Sequence, residues 1–111
     1  MAETFKITAQ FTPSAPNTSE NAYTVGAAFS GAVLSTLTIC NQTASQMTFR
    51  LSVADSGEAL ATKQYIFYDT PIRANDTLAS TIGMTLAVDD VVRFYASTAS
   101  CSLNIFGTEI T

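Results

Sequence analysis

Apolar and polar residues alternate two by two along almost the whole chain, and the alternation is broken at intervals by clusters of turn formers. Period two is the signature of a strand with one face buried, because successive side chains point to opposite sides of a sheet. The first run is the clearest: Phe5, Ile7, Ala9 and Phe11 fall on one predicted core face, with Lys6, Thr8 and Gln10 on the other. Residues 12–21, with Pro13, Pro16, Asn17 and their serines and threonines, are predicted as a flexible loop or arm, since proline cannot donate to a ladder and this composition offers no packing surface. A short strand around Tyr23 and Val25 follows. From Gly31 a longer one places Val33, Ser35, Leu37 and Ile39 on one face. Met47, Phe49, Leu51 and Val53 then define the next strand, which is expected to pair with its predecessor as a hairpin across the turn at 41–45.

Asp55, Ser56 and Gly57 are a turn signal, and residues 58–62 are the only stretch of helix-forming composition, too short for more than one turn. In the strand 64–70, Tyr65, Ile66, Phe67 and Tyr68 follow one another, so plain alternation projects aromatic groups from both faces. Leu78, Ser80 and Ile82 alternate up to Gly83, Asp89 and Asp90 turn the chain into 91–97, and a last strand covers 102–110. Seven to eight short strands at this spacing predict an all-β protein, an antiparallel β-sandwich or jelly roll. At 111 residues the chain has the size of one domain, 1–111, with enough length for a real core.

Composition narrows function mainly by exclusion. Charged residues make up 13% of the chain, well under the roughly 25% of an average soluble domain, so the surface is expected to carry hydroxyls rather than ions and to tolerate close neighbours. The net charge of −4, with Lys6, Arg50, Lys63, Arg73 and Arg93 scattered, argues against nucleic acid. No apolar run is long enough to span a bilayer, and the first residues lack the basic flank and apolar stretch of a signal peptide, so the protein is expected to be made and kept in a cytoplasm, or assembled into something there. There is no histidine, and no phosphate loop, nucleophile elbow or zinc spacing, so no enzymatic activity, cofactor or metal is expected.

The remaining candidates have ordinary readings beside chemical ones. Asp89 and Asp90 could hold calcium but read better as a solvated turn. Asn17, Asn41 and Asn75 head glycosylation-type triplets and read as turns. Strand phase turns Cys40 outward and Cys101 inward, against a disulfide. Tyr23, Tyr65, Tyr68 and Tyr95 could stack on sugar rings, the pattern of a carbohydrate-binding module; an interface role is favoured, because tyrosine is enriched at protein contacts. Tyr23, Tyr65, Phe67 and Tyr68 are the candidate interface residues.

Several ordered blocks carry a resemblance: Tyr23-Thr24-Val25, residues 34–41, Phe49-Arg50-Leu51-Ser52-Val53, 63–69, Asn75-Asp76-Thr77, Met84-Thr85-Leu86, 89–92, Tyr95-Ala96-Ser97-Thr98, and 103–110. In this order they resemble small virion proteins of tailed bacteriophages, notably cyanophages, over residues 23–111. Gly26 stands where that group often has proline, a departure confined to a turn. The resemblance implies a non-enzymatic virion protein, made in the host cytoplasm, with no catalytic residues to carry over. It points to a capsid decoration or cement protein bound to the major capsid protein, often as a homotrimer, with a neck, tail or fibre component as the alternative.

Overall fold

The computed structural model describes residues 2–111, which form two antiparallel sheets packed face to face. The strands are β1 (Glu3–Phe11), β2 (Glu20–Thr24), β3 (Gly31–Asn41), β4 (Met47–Ala54), β5 (Tyr65–Ile72), β6 (Thr77–Ser80), β7 (Met84–Ala87), β8 (Val91–Ala96) and β9 (Cys101–Ile110). One sheet has the order β1-β9-β3-β6, with β7 also on β3; the other has β2-β8-β4-β5. Each strand from the first half of the chain therefore pairs with one from the second half, β1 with β9, β2 with β8, β3 with β6 and β7, and β4 with β5. A long ribbon folded in half and rolled into two layers gives this order, which is the jelly-roll form of the sandwich.

The core lies between the layers. Leu34, Leu37 and Ile39 of β3 and Leu103 and Ile105 of β9 meet Phe49 and Leu51 of β4 and Val92 and Phe94 of β8, all fully buried. Each such side chain stabilises the fold by about 1.5–3 kcal/mol relative to exposure. Phe49 sits between Phe67 and Phe94, with ring centroids 5.3 and 6.0 Å away, and Phe11 meets Phe94 edge-on at 6.2 Å.

Several expectations are corrected. The described residues form nine strands rather than seven or eight, because the run toward Gly83 breaks after Ser80 and residues 84–87 form a separate strand. No α-helix forms near 58–62, as expected; short 3-10 turns lie at Asp55–Gly57, before it, and at Thr62–Gln64, which begins at its last residue. β3 and β4 are not a hairpin: they lie in different sheets, and the turn after Asn41 crosses between layers. The cause is visible at Asn41, which is buried and whose amide donates to the carbonyls of Ser45, Ile72 and Arg73 while its oxygen accepts from the backbone and hydroxyl of Thr43.

The largest correction concerns phase. In β1, Thr8 is an extra residue between the pairs Ile7–Phe106 and Ala9–Ile105; in β3, Ser35 is extra between Leu34–Gly107 and Thr36–Phe106. These β-bulges flank the same point of β9, and their hydroxyls donate to the carbonyls of Ile105 and Phe106. Side chains before a bulge change face relative to plain alternation. Ala9 and Phe11 therefore pack on the core, but Phe5 is 80% exposed and Ile7 49% exposed, while Val33 turns out and Leu34 turns in. Gly107, between the bulged strands, has no room for a Cβ, which would lie 2.2 Å from the Val33 carbonyl oxygen.

The same inversion sends Lys6 inward. Its Nζ lies 2.7 Å from Oε1 of Glu109, and the Tyr23 hydroxyl donates to Oε2 at 2.6 Å. Burial pushes the Glu109 carboxyl up, but the Lys6 ammonium and the Tyr23 hydroxyl outweigh this and hold it below the ordinary carboxylate range. Burial in turn pushes the Tyr23 phenol up. Cys40 and Cys101 occupy β3 and β9 one residue out of register, since Asn41 pairs with Cys101 and Cys40 with Ser102; both thiols are free, and burial raises Cys101 to about 11.

Two outcomes are expected. Asn41→Ala should cost about 1–3 kcal/mol in urea unfolding, the scale of one buried polar group left unpaired, since it strips the buried Ile72 carbonyl and three half-buried backbone groups of their partner. A loss under 1 kcal/mol would show that the crossing does not depend on this amide. For Glu109, a folded pKa below 4.5 means that its stabilisation is complete above that pH and is lost as pH falls through the folded value. Glu109→Gln should cost about 1–2 kcal/mol at pH 7, a discounted figure because Lys6 is 43% exposed and screened. Its unfolding midpoint should also vary less than that of the parent protein between pH 5 and 3.

Candidate functional site

Among the described residues no three His, Cys, Asp or Glu side chains come together as a metal site. The acidic turn is structural: the two carboxylate oxygens of Asp90 accept from the backbone N–H groups of Ser56 and Ala87. Asn17, Asn75 and Asp89 hold left-handed backbone positions, with φ of 55°, 56° and 71°, which short polar side chains tolerate best.

The best-organised surface lies on the outer face of the four-stranded sheet. Arg50 of β4 pairs directly with Tyr95 of β8, and on its other side lies β5. β5 departs from regular pairing twice between Phe49 and Ser52, with Ile66 extra at one point and one of Tyr68 and Asp69 extra at the other. Tyr65 and Tyr68, three residues apart, would fall on opposite faces of a regular strand. The irregularity brings their rings together, edge to face at 4.9 Å, while Phe67 alone turns to the core and packs on Phe49.

Arg50 organises this face. Its guanidinium carbon lies 4.2 Å from the Tyr68 ring centroid and 4.4 Å from that of Tyr95, so the cation contacts both rings. Nε and Nη2 donate to the two oxygens of Asp69 at 2.7 and 3.2 Å, a forked geometry that lysine cannot reproduce. Asp69 is held at φ 48°. The hydrogen bonds from Arg50 keep the Asp69 carboxyl below its ordinary range, and those to Asp69 raise the guanidinium further. The Arg50–Asp69 pair carries no net charge, and Tyr68 is 57% exposed at the rim of the cluster.

Residues 12–21, expected as a flexible loop or arm, are fastened beside this face. Pro13 is buried, the backbone and hydroxyl of Ser14 donate to Glu20, the Asn17 N–H donates to the Ala96 carbonyl, and the Tyr95 hydroxyl donates to Asn17. Of the four candidate interface residues, the structure brings Tyr65 and Tyr68 together. Tyr23 and Phe67 are corrected to the interior, Tyr23 because its hydroxyl has a buried carboxylate to bind. Tyr95, grouped with Tyr65 and Tyr68 from the sequence as an aromatic platform, joins the cluster, and Arg50 and Asp69, which sequence reasoning did not connect, complete it. Arg50 is in polar phase on its strand, but its meeting with residues 68, 69 and 95 depends on a strand order that no local pattern reveals.

No protein-family model matches the chain, and no curated protein matches it. Among solved structures it is similar to the crystal structure of a pentameric capsid protein isolated from metagenomic phage sequences, at 16% identity and a TM-score of 0.37, over 97% of this chain and 64% of that one. The chain thus spans less than two thirds of that protein's length.

Removing the carboxylate partner tests the rigidity of the cluster. In Asp69→Asn the Arg50 Nε–H should exchange faster with water, and the ring resonances of Tyr68 and Tyr95 should move toward random-coil positions in NMR spectra, with the core resonances unchanged. Unchanged ring shifts would show that the two aromatic contacts hold the guanidinium without Asp69.

Proposed function

We propose that this protein is a non-enzymatic structural component of a phage particle, and specifically a capsid decoration protein that adheres to the outside of the shell and braces it. The observation that carries the reading is the neutral Tyr65–Tyr68–Arg50–Tyr95 face. Tyrosine and arginine are the residues most enriched at binding hot spots, and rings already fixed against a guanidinium lose little freedom when a partner covers them. The resemblance of the ordered sequence blocks to small virion proteins supports the same reading. On this account the face packs against the major capsid protein or a neighbouring copy, with three copies around a local three-fold position. Weak contacts then add through repetition over the shell.

Truncation separates binding from folding. Tyr68→Ala should leave the β-type circular dichroism spectrum intact and lower occupancy on particles about tenfold or more, the scale of a hot spot. Phe67→Ala should instead destabilise the free protein. Particles that carry the protein should withstand heating that bursts particles stripped of it, by mass-action linkage. Equal robustness of both particles, with a glycan that binds in a Tyr68-dependent way, would replace this reading with carbohydrate recognition on a tail or fibre.

A further inference from the structure

A sandwich of two open sheets has four edges, and three of them are blunted in the usual ways. β2 is short and bulged at Ala22, β5 is irregular and contains Pro71, and the β6–β7 edge is two four-residue pieces. The fourth edge is β1. There residues 3–7 pair regularly with β9 up to the Thr8 bulge, and all five are exposed, including Phe5 and Ile7. Among the described residues no other strand has five consecutive exposed positions.

The direction of the unpaired backbone groups follows from one hydrogen bond. The Thr111 N–H donates to the Ala2 carbonyl at 2.9 Å, so residue 2 faces β9. In an antiparallel pair the residues that bond a neighbour alternate, so Thr4 and Lys6 also face β9, whereas the N–H and C=O groups of Glu3, Phe5 and Ile7 point away from it.

We infer that residues 3–7 of β1 are a docking edge for a second copy of this chain, added antiparallel about a two-fold axis at Phe5. This register joins Phe5 to its counterpart and Glu3 to Ile7 of the other copy, so every pair uses the backbone groups that are free and each exchanges two hydrogen bonds. It also places Thr4 beside Lys6 of the other copy; sliding by one step to centre on Lys6 would set like charges opposite each other. A lysine on an edge strand ordinarily repels another strand. Here Lys6 is paired with Glu109, 2.7 Å away, and Glu3, the other charge on this edge, falls opposite Ile7 of the second copy and not opposite its own counterpart. The exposed row Val33–Thr108–Phe5 would continue through Phe5 into the same row of the second copy. This two-fold contact is independent of the proposed virion role and leaves the tyrosine face free.

Backbone hydrogen exchange of the full chain at low and high protein concentration tests the inference. Thr4 and Lys6 amides should be protected at both, whereas Glu3, Phe5 and Ile7 should gain protection only at high concentration, together with a doubling of mass by sedimentation. Phe5→Pro removes a free N–H without touching the β9 ladder, and Phe5→Lys places like charges at the axis; either should weaken dimerisation about tenfold or more, the scale of a hot spot. Fast exchange at Phe5 and Ile7 at every concentration overturns the inference, even if Phe5→Pro fails to fold. A dimer that persists unchanged in Phe5→Lys overturns it as well.

Discussion

Side-chain parity is the constraint on which this structure depends. A strand has two faces, and whichever residues point between the layers build the core. Two bulges, at Thr8 and Ser35, stand on either side of β9 at residues 105 and 106 and reverse that parity for the ends of β1 and β3 at once. Because both neighbours change together, the sheet keeps its pairing while its faces exchange character. Leu34 enters the core as Val33 leaves it, and Lys6 turns inward to Glu109 as Phe5 and Ile7 turn to solvent.

The polar trio at that end shows how the reversal is tolerated. A carboxylate 4% exposed would be costly alone, but Glu109 has a cation on one oxygen and a phenol on the other. The three groups come from β9, β1 and β2, so the interaction ties both sheets together where apolar packing gives out. Pairing with Glu109 has a second effect, because it offsets the one positive charge on the edge strand. The same ion pair thus links the stability of the sandwich to the character of its most exposed edge.

At the opposite sheet an irregular strand produces an organised surface in place of a disrupted one. Extra residues in β5 gather Tyr65 and Tyr68 on one side, and Arg50 joins them to Tyr95 through contacts that need a flat cation. With Asp69 closing the fork, the half-buried arginine has both a carboxylate and two aromatic partners on the sheet face.

The alternation of Leu37 and Ile39, of Phe49 and Leu51, and of Leu103 and Ile105 determined by itself that this chain forms a sandwich of short strands, because period two is a local property of the backbone. The turns at Asn75 and Asp89 were equally legible, since left-handed backbone selects short polar side chains. What only the tertiary structure decided was parity and partnership. A bulge is one unpaired residue with no distinctive sequence, so Thr8 and Ser35 could not be told from ordinary strand positions, and Phe5 was assigned to the core. Asn41 looked like a hairpin turn, although its buried amide serves a crossing between layers. Tyr23 looked like a surface aromatic until Glu109, 86 residues away, supplied its partner. Arg50, Asp69 and Tyr95 became a cluster only when the rolled ribbon set β4 between β5 and β8, for strand order is fixed by burial of the whole chain and not by any segment of it.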